Sequence, residues 1–157
     1  MRHKISPIAV ILFVFALVGC SAPGPTPIIY GTDLCDYCDM TIADKAFGSE
    51  LLTNKGKVFK FDSIECLAAA EAVGDHAASE INSRWVTDFY NAGTFLNTES
   101  ALLVATDRQK SPMGVGLVAV ADRSRADELI AAKGGKLLNW EETMQLVVET
   151  WKLEQAR

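Results

Sequence analysis

The sequence lacks most features that would indicate a nucleic-acid-binding, membrane-spanning or hydrolytic protein. It has 15 basic residues against 20 acidic ones, a formal net charge of −5, whereas polynucleotides and anionic lipid surfaces select clusters of Lys and Arg. Its unbroken apolar run, residues 8–18, is shorter than the roughly 20 residues of a spanning helix. It contains no adjacent nucleophile–base pair, glycine-rich phosphate loop or paired-carboxylate motif. An enzyme stays open, because catalytic groups need not be adjacent in the sequence.

The apolar run belongs to a predicted secretory leader. Arg2 and Lys4 precede the run, and Gly19 leads into Cys20. This pattern resembles the lipobox of bacterial lipoproteins, in which cleavage before the cysteine is coupled to its lipidation. We predict a signal peptide over residues 1–19 and a lipid on Cys20, with a plain secretory signal as the alternative. Cleavage would remove Arg2 and Lys4 and no acid, which leaves a formal charge of −7.

The remaining chain is predicted to form a tether and two similar units. Residues 20–34 begin with the lipidated cysteine and contain a proline-rich stretch, which cannot continue a helix and favours a semi-rigid spacer. We assign residues 35–96 to a metal-binding motif with a first ββαβ unit. Residues 97–157 form a second ββαβ unit and a C-terminal helix.

The lipid would hold the protein in the bacterial cell envelope, facing the periplasm, and the sequence does not distinguish the inner from the outer membrane.

The two units follow from a repeated order of strand, strand, helix and strand, which predicts an α+β fold. The elements predicted for the first unit are strands at 49–53, 58–61 and 84–90 and a helix at 63–73. Those predicted for the second unit are strands at 101–106, 116–121 and 136–139 and a helix at 124–133. Asp62 and Glu65 are predicted to form a capping box for the first helix, and Asn139 and Glu142 one for the terminal helix.

The stretch with the most specific chemistry is residues 35–40, which place Cys35, Cys38 and Met40 close together. Thiolate and thioether are soft ligands that select Cu(I) over hard cations, and a thioether suits zinc poorly. Residues i and i+2 of an extended segment point to the same side. Cys38 and Met40 are therefore predicted to bind one ion, and Cys35 could join them from a turn.

The cysteine count argues against a disulfide framework. Once Cys20 carries lipid, Cys35, Cys38 and Cys66 remain, and three thiols cannot all pair. A Cys35–Cys38 disulfide stays open as a resting state. Cys66 is placed in the second turn of the first helix, where apolar neighbours favour a buried, inert thiol and the helix start favours a reactive one.

Two further residues are candidate ligands. Met113 follows a proline and precedes a glycine, so it is predicted to lie in a loop as a third ligand, or to pack there as an ordinary methionine. His76 is the histidine that remains after the leader, and its loop position favours a solvated side chain over a ligand.

Several segments together resemble the NosL family. The segments that carry the resemblance are Asp33-x-Cys35-x-x-Cys38-x-Met40-x-Ile42, Phe61-Asp62-x-Ile64-Glu65-Cys66, Trp85-Val86-Thr87-Asp88-Phe89-Tyr90, Ser111-Pro112-Met113-Gly114-Val115-Gly116-Leu117 and Leu138-Asn139-Trp140-Glu141-Glu142. The resemblance implies a lipoprotein copper chaperone, not an enzyme, that binds Cu(I) through Cys38 and Met40. It implies apo-nitrous oxide reductase and a membrane ABC-type maturation complex as partners in denitrification. It also implies a duplicated ββαβ fold related to the organomercury lyase scaffold.

Three alternatives compete with copper delivery. A thiol–disulfide enzyme would use Cys35 and Cys38, but redox cysteines usually open a helix within a βαβ pattern, and this pair precedes the first strand. An organomercurial-lyase-like enzyme would use Cys66 with one of those thiols and a carboxylate. A structural zinc site would combine the three cysteines with His76. The sequence also leaves open whether two copies share one ion as a homodimer.

Overall fold

The structure is a computed structural model that describes residues 24–154. The predicted leader and the predicted lipidation site, Cys20, lie outside the described residues. Among the described helices, none combines the length and the apolar character needed to cross a membrane.

The first sheet begins with a hairpin. Strands β1 (Ser49–Thr53) and β2 (Val58–Phe61) pair antiparallel, with Ser49 opposite Phe61. The turn between them contains Gly56 at a φ of 80°, which glycine adopts without steric cost. Strand β3 (Ile81–Thr87) pairs with the other side of β1, and β4 (Phe95–Asn97) pairs with β3. The order in the sheet is β2–β1–β3–β4.

Helix α1 (Ile64–Ala72) connects the hairpin to β3, and its first turn differs from the prediction. Ser63, not Asp62, is the N-cap: its hydroxyl accepts a hydrogen bond from the Cys66 amide. The predicted capping box of Asp62 and Glu65 is therefore wrong. Glu65 instead directs its carboxylate to Ser111 and to the Leu117 amide. Because the helix starts at Ile64, Cys66 lies in the first turn rather than the second.

The second sheet and two helices complete the fold. Strand β5 (Leu102–Ala105) lies between β6 (Leu117–Val120) and β7 (Lys136–Leu138), and all pairs are antiparallel. A short 3-10 helix, Ala78–Glu80, precedes β3. Helix α2 (Arg123–Lys133) joins β6 to β7, and α3 (Trp140–Trp151) follows β7. The predicted capping box of Asn139 and Glu142 is present at the start of α3.

The α+β class with two ββαβ orders and a C-terminal helix is confirmed. The strand predicted at 84–90 occurs earlier, at Ile81–Thr87, because the chain turns after Thr87 with the Asp88 amide bonded to the Thr94 carbonyl. The turn leads into β4, which was not predicted. Within that turn the Phe89 amide donates to the Ala119 carbonyl, which links the first sheet to the second.

Helices α1 and α3 pack together, and α1 also packs on β1 and β2 of the first sheet, whereas α3 packs on β5 and β7 of the second. The largest core is formed by apolar side chains of both sheets, α1 and α3. Phe61, Leu67, Val86, Leu117 and Val147 belong to it and are fully buried. Cys35 and Cys66 belong to this same core. The candidate thiols therefore lie at the border between the packed interior and an N-terminal loop.

Candidate metal centre

The segment from Cys35 to Met40 is a closed loop. Leu34 and Thr41 form an isolated antiparallel bridge at its base, and the Cys35 amide donates to the Met40 carbonyl at 2.8 Å. Asp39 has a φ of 60°, so the chain turns between Cys38 and Met40. The extended geometry that was predicted to point both sulfurs to the same side therefore does not occur.

Polar contacts to β2 hold this loop against the first sheet. The Asp36 amide donates to the Lys60 carbonyl at 2.8 Å, and the Lys60 amide donates to the Asp36 carboxylate at 2.6 Å. The Lys60 ammonium contacts Asp33 at 2.7 Å and the Pro27 carbonyl at 2.9 Å. From the other side, Trp151 of α3 stacks on Tyr37 with ring centroids 6.2 Å apart. The loop is therefore held by β2 on one side and by the C-terminal end of α3 on the other.

The preceding residues are docked as well. The Thr26 amide and hydroxyl donate to the buried Glu50 carboxylate at 2.8 and 3.0 Å, and the Gly31 amide donates to the Ile42 carbonyl. From Thr26 onward, the segment assigned to the tether thus contacts the domain.

Three thiols converge beneath the loop. The Sγ atoms of Cys35, Cys38 and Cys66 lie within 4.8 Å of one another, and those of Cys38 and Cys66 are 3.8 Å apart. Cys35 and Cys66 are 1% and 0% exposed, while Cys38 is half-buried. Cys66 is buried as predicted, but it is not isolated from the other two thiols. Among the described residues, this is the group of three or more His, Cys, Asp or Glu side chains that could hold a metal ion.

The environment of the cluster favours one ionised thiol. Hydrogen bonding from the Cys66 thiol and from backbone amides of Cys38, Asp62 and Tyr37 outweighs burial and lowers the pKa of Cys35 to about 5. Hydrogen bonding to Cys35 together with burial raises the pKa of Cys66. Burial raises the pKa of Cys38. The reduced site therefore presents one thiolate and two thiols. Its single negative charge would neutralise the charge of a monovalent cation.

We expect the reduced, metal-free protein to show the ultraviolet absorbance of one thiolate at pH 7. Because the pKa of Cys35 lies below its ordinary value, the thiolate is present above that pKa and its absorbance is lost as the pH falls through about 5. A pH titration of the reduced protein measures this step, with Cys35→Ser as the control that lacks it. Three thiols that all ionise near pH 9 would contradict the assignment.

The thioethers and the imidazole occupy different places. Met40 is 55% exposed and lines an open cleft of about 380 Å³ with Asp62 and Pro112. Met113 is partly buried and packs against the core that contains Cys35 and Cys66. His76 lies against Phe59, with ring centroids 4.1 Å apart, and does not join the thiols. The Cys₃His set of the zinc alternative is therefore not assembled.

Glu65 is a buried residue whose contacts were not predicted from the sequence. Its Oε1 accepts hydrogen bonds from the Ser111 hydroxyl and, at 3.3 Å, from the Leu117 amide, and the Gly116 amide donates to Ser111 at 2.9 Å. These bonds connect the first turn of α1 to the loop that carries Met113. Glu65 was predicted to cap the helix because it lies three positions after Asp62. No local pattern indicated its contact with Ser111, 46 residues away.

This arrangement suits a soft, low-coordinate metal ion. Three sulfur atoms surround one position, water is largely excluded by burial, and one sulfur remains accessible at Cys38. Thiolate sulfur selects Cu(I) and zinc, and three sulfurs are one fewer than the four ligands of a structural zinc site, which favours the monovalent ion with fewer ligands.

Comparisons with known proteins agree with this architecture. The model of the NosL family matches residues 27–148. Among solved structures, the crystal structure of the copper chaperone NosL from Shewanella denitrificans is similar, with a TM-score of 0.66 and 24% sequence identity. The similarity covers 77% of this chain and 96% of that chain. At this identity the match shows a shared fold. No curated protein matches significantly.

Proposed function

Since this chain belongs to the NosL family, we propose that it is a metallochaperone that carries Cu(I) as cargo on the thiols of Cys35, Cys38 and Cys66. The observation that supports this most directly is the approach of all three Sγ atoms to within 4.8 Å of one another. A site of this kind binds and releases an ion and needs no catalytic group.

The difference in exposure among the sulfurs suggests how the ion enters and leaves. Cys35 and Cys66 are enclosed by the core, whereas Cys38 is half-buried and Met40 is 55% exposed. A partner can therefore approach from the side of Cys38 and Met40 and replace these ligands one at a time. Met40, and Met113 from the neighbouring loop, would act as accessory thioether ligands during this exchange.

We propose apo-nitrous oxide reductase and its membrane ABC-type maturation complex as recipients, and a lipid on Cys20 as the anchor. Membership of the NosL family and the lipobox-like sequence support these assignments. The short stretch between Cys20 and the docked Thr26 would keep the copper site close to the membrane.

The proposed function is tested by loading the reduced full-length chain with Cu(I). We expect one Cu(I) per chain in competition with a colorimetric Cu(I) chelator, and X-ray absorption spectra with sulfur as the coordinating element. Loaded protein should then transfer its copper to apo-nitrous oxide reductase, and Cys38→Ser serves as the control that cannot be loaded. A coordination shell of only nitrogen and oxygen would rule out the site.

A further inference from the structure

The metal-free thiol cluster also has the geometry of a dithiol redox site. We propose that Cys38 and Cys66 form a reversible disulfide that closes the site when copper is absent. The significance of this closure rests on the proposed copper function, but the disulfide itself can be tested without copper. The two sulfurs come from the loop and from the first turn of α1, 28 residues apart, and are 3.8 Å from each other.

The distance is short enough for a small movement to close it. A disulfide places its sulfur atoms about 2.05 Å apart, so the Cys38 sulfur must move by about 2 Å. Cys66 is held within a helix and its amide is bonded to the Ser63 cap. Cys38 lies in a turn and is half-buried, so the loop can take up the movement.

Cys35 is the less favoured partner for Cys38. It is 1% exposed, and its backbone amide and carbonyl form hydrogen bonds with the Met40 carbonyl and the Asp39 amide across the loop. Forming a Cys35–Cys38 bond would break these contacts inside the loop. A Cys38–Cys66 bond leaves them in place and spares Cys35 as the unpaired thiol. The structure therefore favours a pairing between loop and helix over the Cys35–Cys38 disulfide that the sequence left open.

The reaction is thiol–disulfide exchange with a disulfide donor, either a small molecule such as oxidised glutathione or an oxidised thiol oxidoreductase. Cys38 is the thiol that a donor can reach. It loses its proton to solvent as its sulfur attacks one donor sulfur and forms a mixed disulfide, and the first donor thiolate leaves and takes up a proton. The Cys66 sulfur then attacks Cys38, breaks the bond to the donor and releases the second donor thiol. Two protein thiols are oxidised and one donor disulfide is reduced to two thiols. A dithiol reductant reverses both steps.

Copper binding and disulfide formation would exclude each other. The disulfide removes two of the three sulfurs that surround the ion, so oxidised protein would not accept Cu(I). A sulfur bonded to Cu(I) is no longer a free nucleophile, so loaded protein would resist oxidation. A thiol reductant that reaches the half-buried Cys38 sulfur would then control how much empty chaperone can be loaded.

The pairing is tested by treating the metal-free full-length chain with oxidised glutathione, alkylating free thiols and mapping tryptic peptides. Cys66 falls on the peptide 61–84, whereas Cys35 and Cys38 both lie on the peptide that ends at Lys45. We expect these two peptides to be linked, with the alkyl group on Cys35. A bond confined to the N-terminal peptide, or no bond at all, would overturn the proposal.

Variants identify the attacking and resolving thiols. Cys35→Ser should keep the link, Cys38→Ser should lose it, and Cys66→Ser should accumulate a mixed disulfide of glutathione with Cys38, seen by intact mass. A link that persists in Cys38→Ser would contradict the assigned order.

Reduced protein that binds Cu(I) but never forms the link refutes this inference alone. If the link forms but the reduced protein does not bind Cu(I), the proposed function is refuted and the disulfide between Cys38 and Cys66 stands.

Discussion

Replacement of Cys66 should lower the Cu(I) affinity of the reduced protein by more than about a hundredfold, because the loss of even an outer partner of a metal ligand costs about 10- to 100-fold. Cys66 contributes one of three sulfurs within 4.8 Å, and it is fully buried, so neither water nor another side chain of the surface can take its place. Competition against a colorimetric Cu(I) chelator under reducing conditions measures the loss. The result expected for Cys66 is as large as that for Cys38, although Cys66 lies outside the Cys-x-Met motif.

Two variants at the same position separate loss of the ligand from damage to the fold. Cys66→Ala removes the sulfur without adding a polar group, and Cys66→Ser adds a hydroxyl that must find a partner in the core. Both should lose Cu(I) equally if the sulfur is a ligand. Met40→Leu is the comparison at an exposed position, and we expect it to weaken binding by about tenfold at most. Unchanged affinity in Cys66→Ala would remove Cys66 from the site.

Substitution of Gly135 by alanine should destabilise the fold by about 3–5 kcal/mol, the combined size of a severe steric clash and a disfavoured backbone conformation. Gly135 has a φ of 110° just before β7, and an added Cβ would overlap the Ala105 carbonyl oxygen and lie 2.8 Å from Thr106 Cα. Both neighbours are backbone atoms of the chain leaving β5, so they cannot move aside without breaking the pairing of β5 with β7. Urea unfolding of the metal-free protein measures the change.

Gly56→Ala is the matched control for that substitution. Gly56 also has a positive φ, of 80°, but nothing lies within 4 Å of the position of an added Cβ. We therefore expect only the cost of the left-handed conformation, about 1–2 kcal/mol. Equal destabilisation by the two alanines would show that the close approach of Gly135 to β5 contributes nothing.

Elements set by local patterns were predicted well. The bounds of β1 and β2 are those predicted, because alternating β-prone residues on either side of a glycine-containing turn define a hairpin over a few residues. The capping box of α3 was also predicted, since Asn139 and Glu142 interact within one turn. The start of α1 was not, because two adjacent residues, Asp62 and Ser63, both suit an N-cap and only the packed structure chooses between them.

The candidate site was predictable only in part. The spacing of Cys35, Cys38 and Met40 indicated soft-metal chemistry, which depends on residue type and needs no fold. The sequence offered Cys66 as a ligand only within the zinc and lyase alternatives. Its approach to Cys35 and Cys38, the separation of His76 and the exposure of Met40 each depend on contacts between distant segments.

The sequence by itself determined the chemical character of this protein: its soft sulfur ligands, its family and the order of its secondary structure. Only the tertiary structure decided which sulfurs meet. Helix α1 brings Cys66 beneath a loop 28 residues earlier in the chain, and the same core burial that orders the helix removes water from the thiols. Ligand identity is a property of single residues, whereas a ligand set is a property of distances, and distances between remote segments arise from packing.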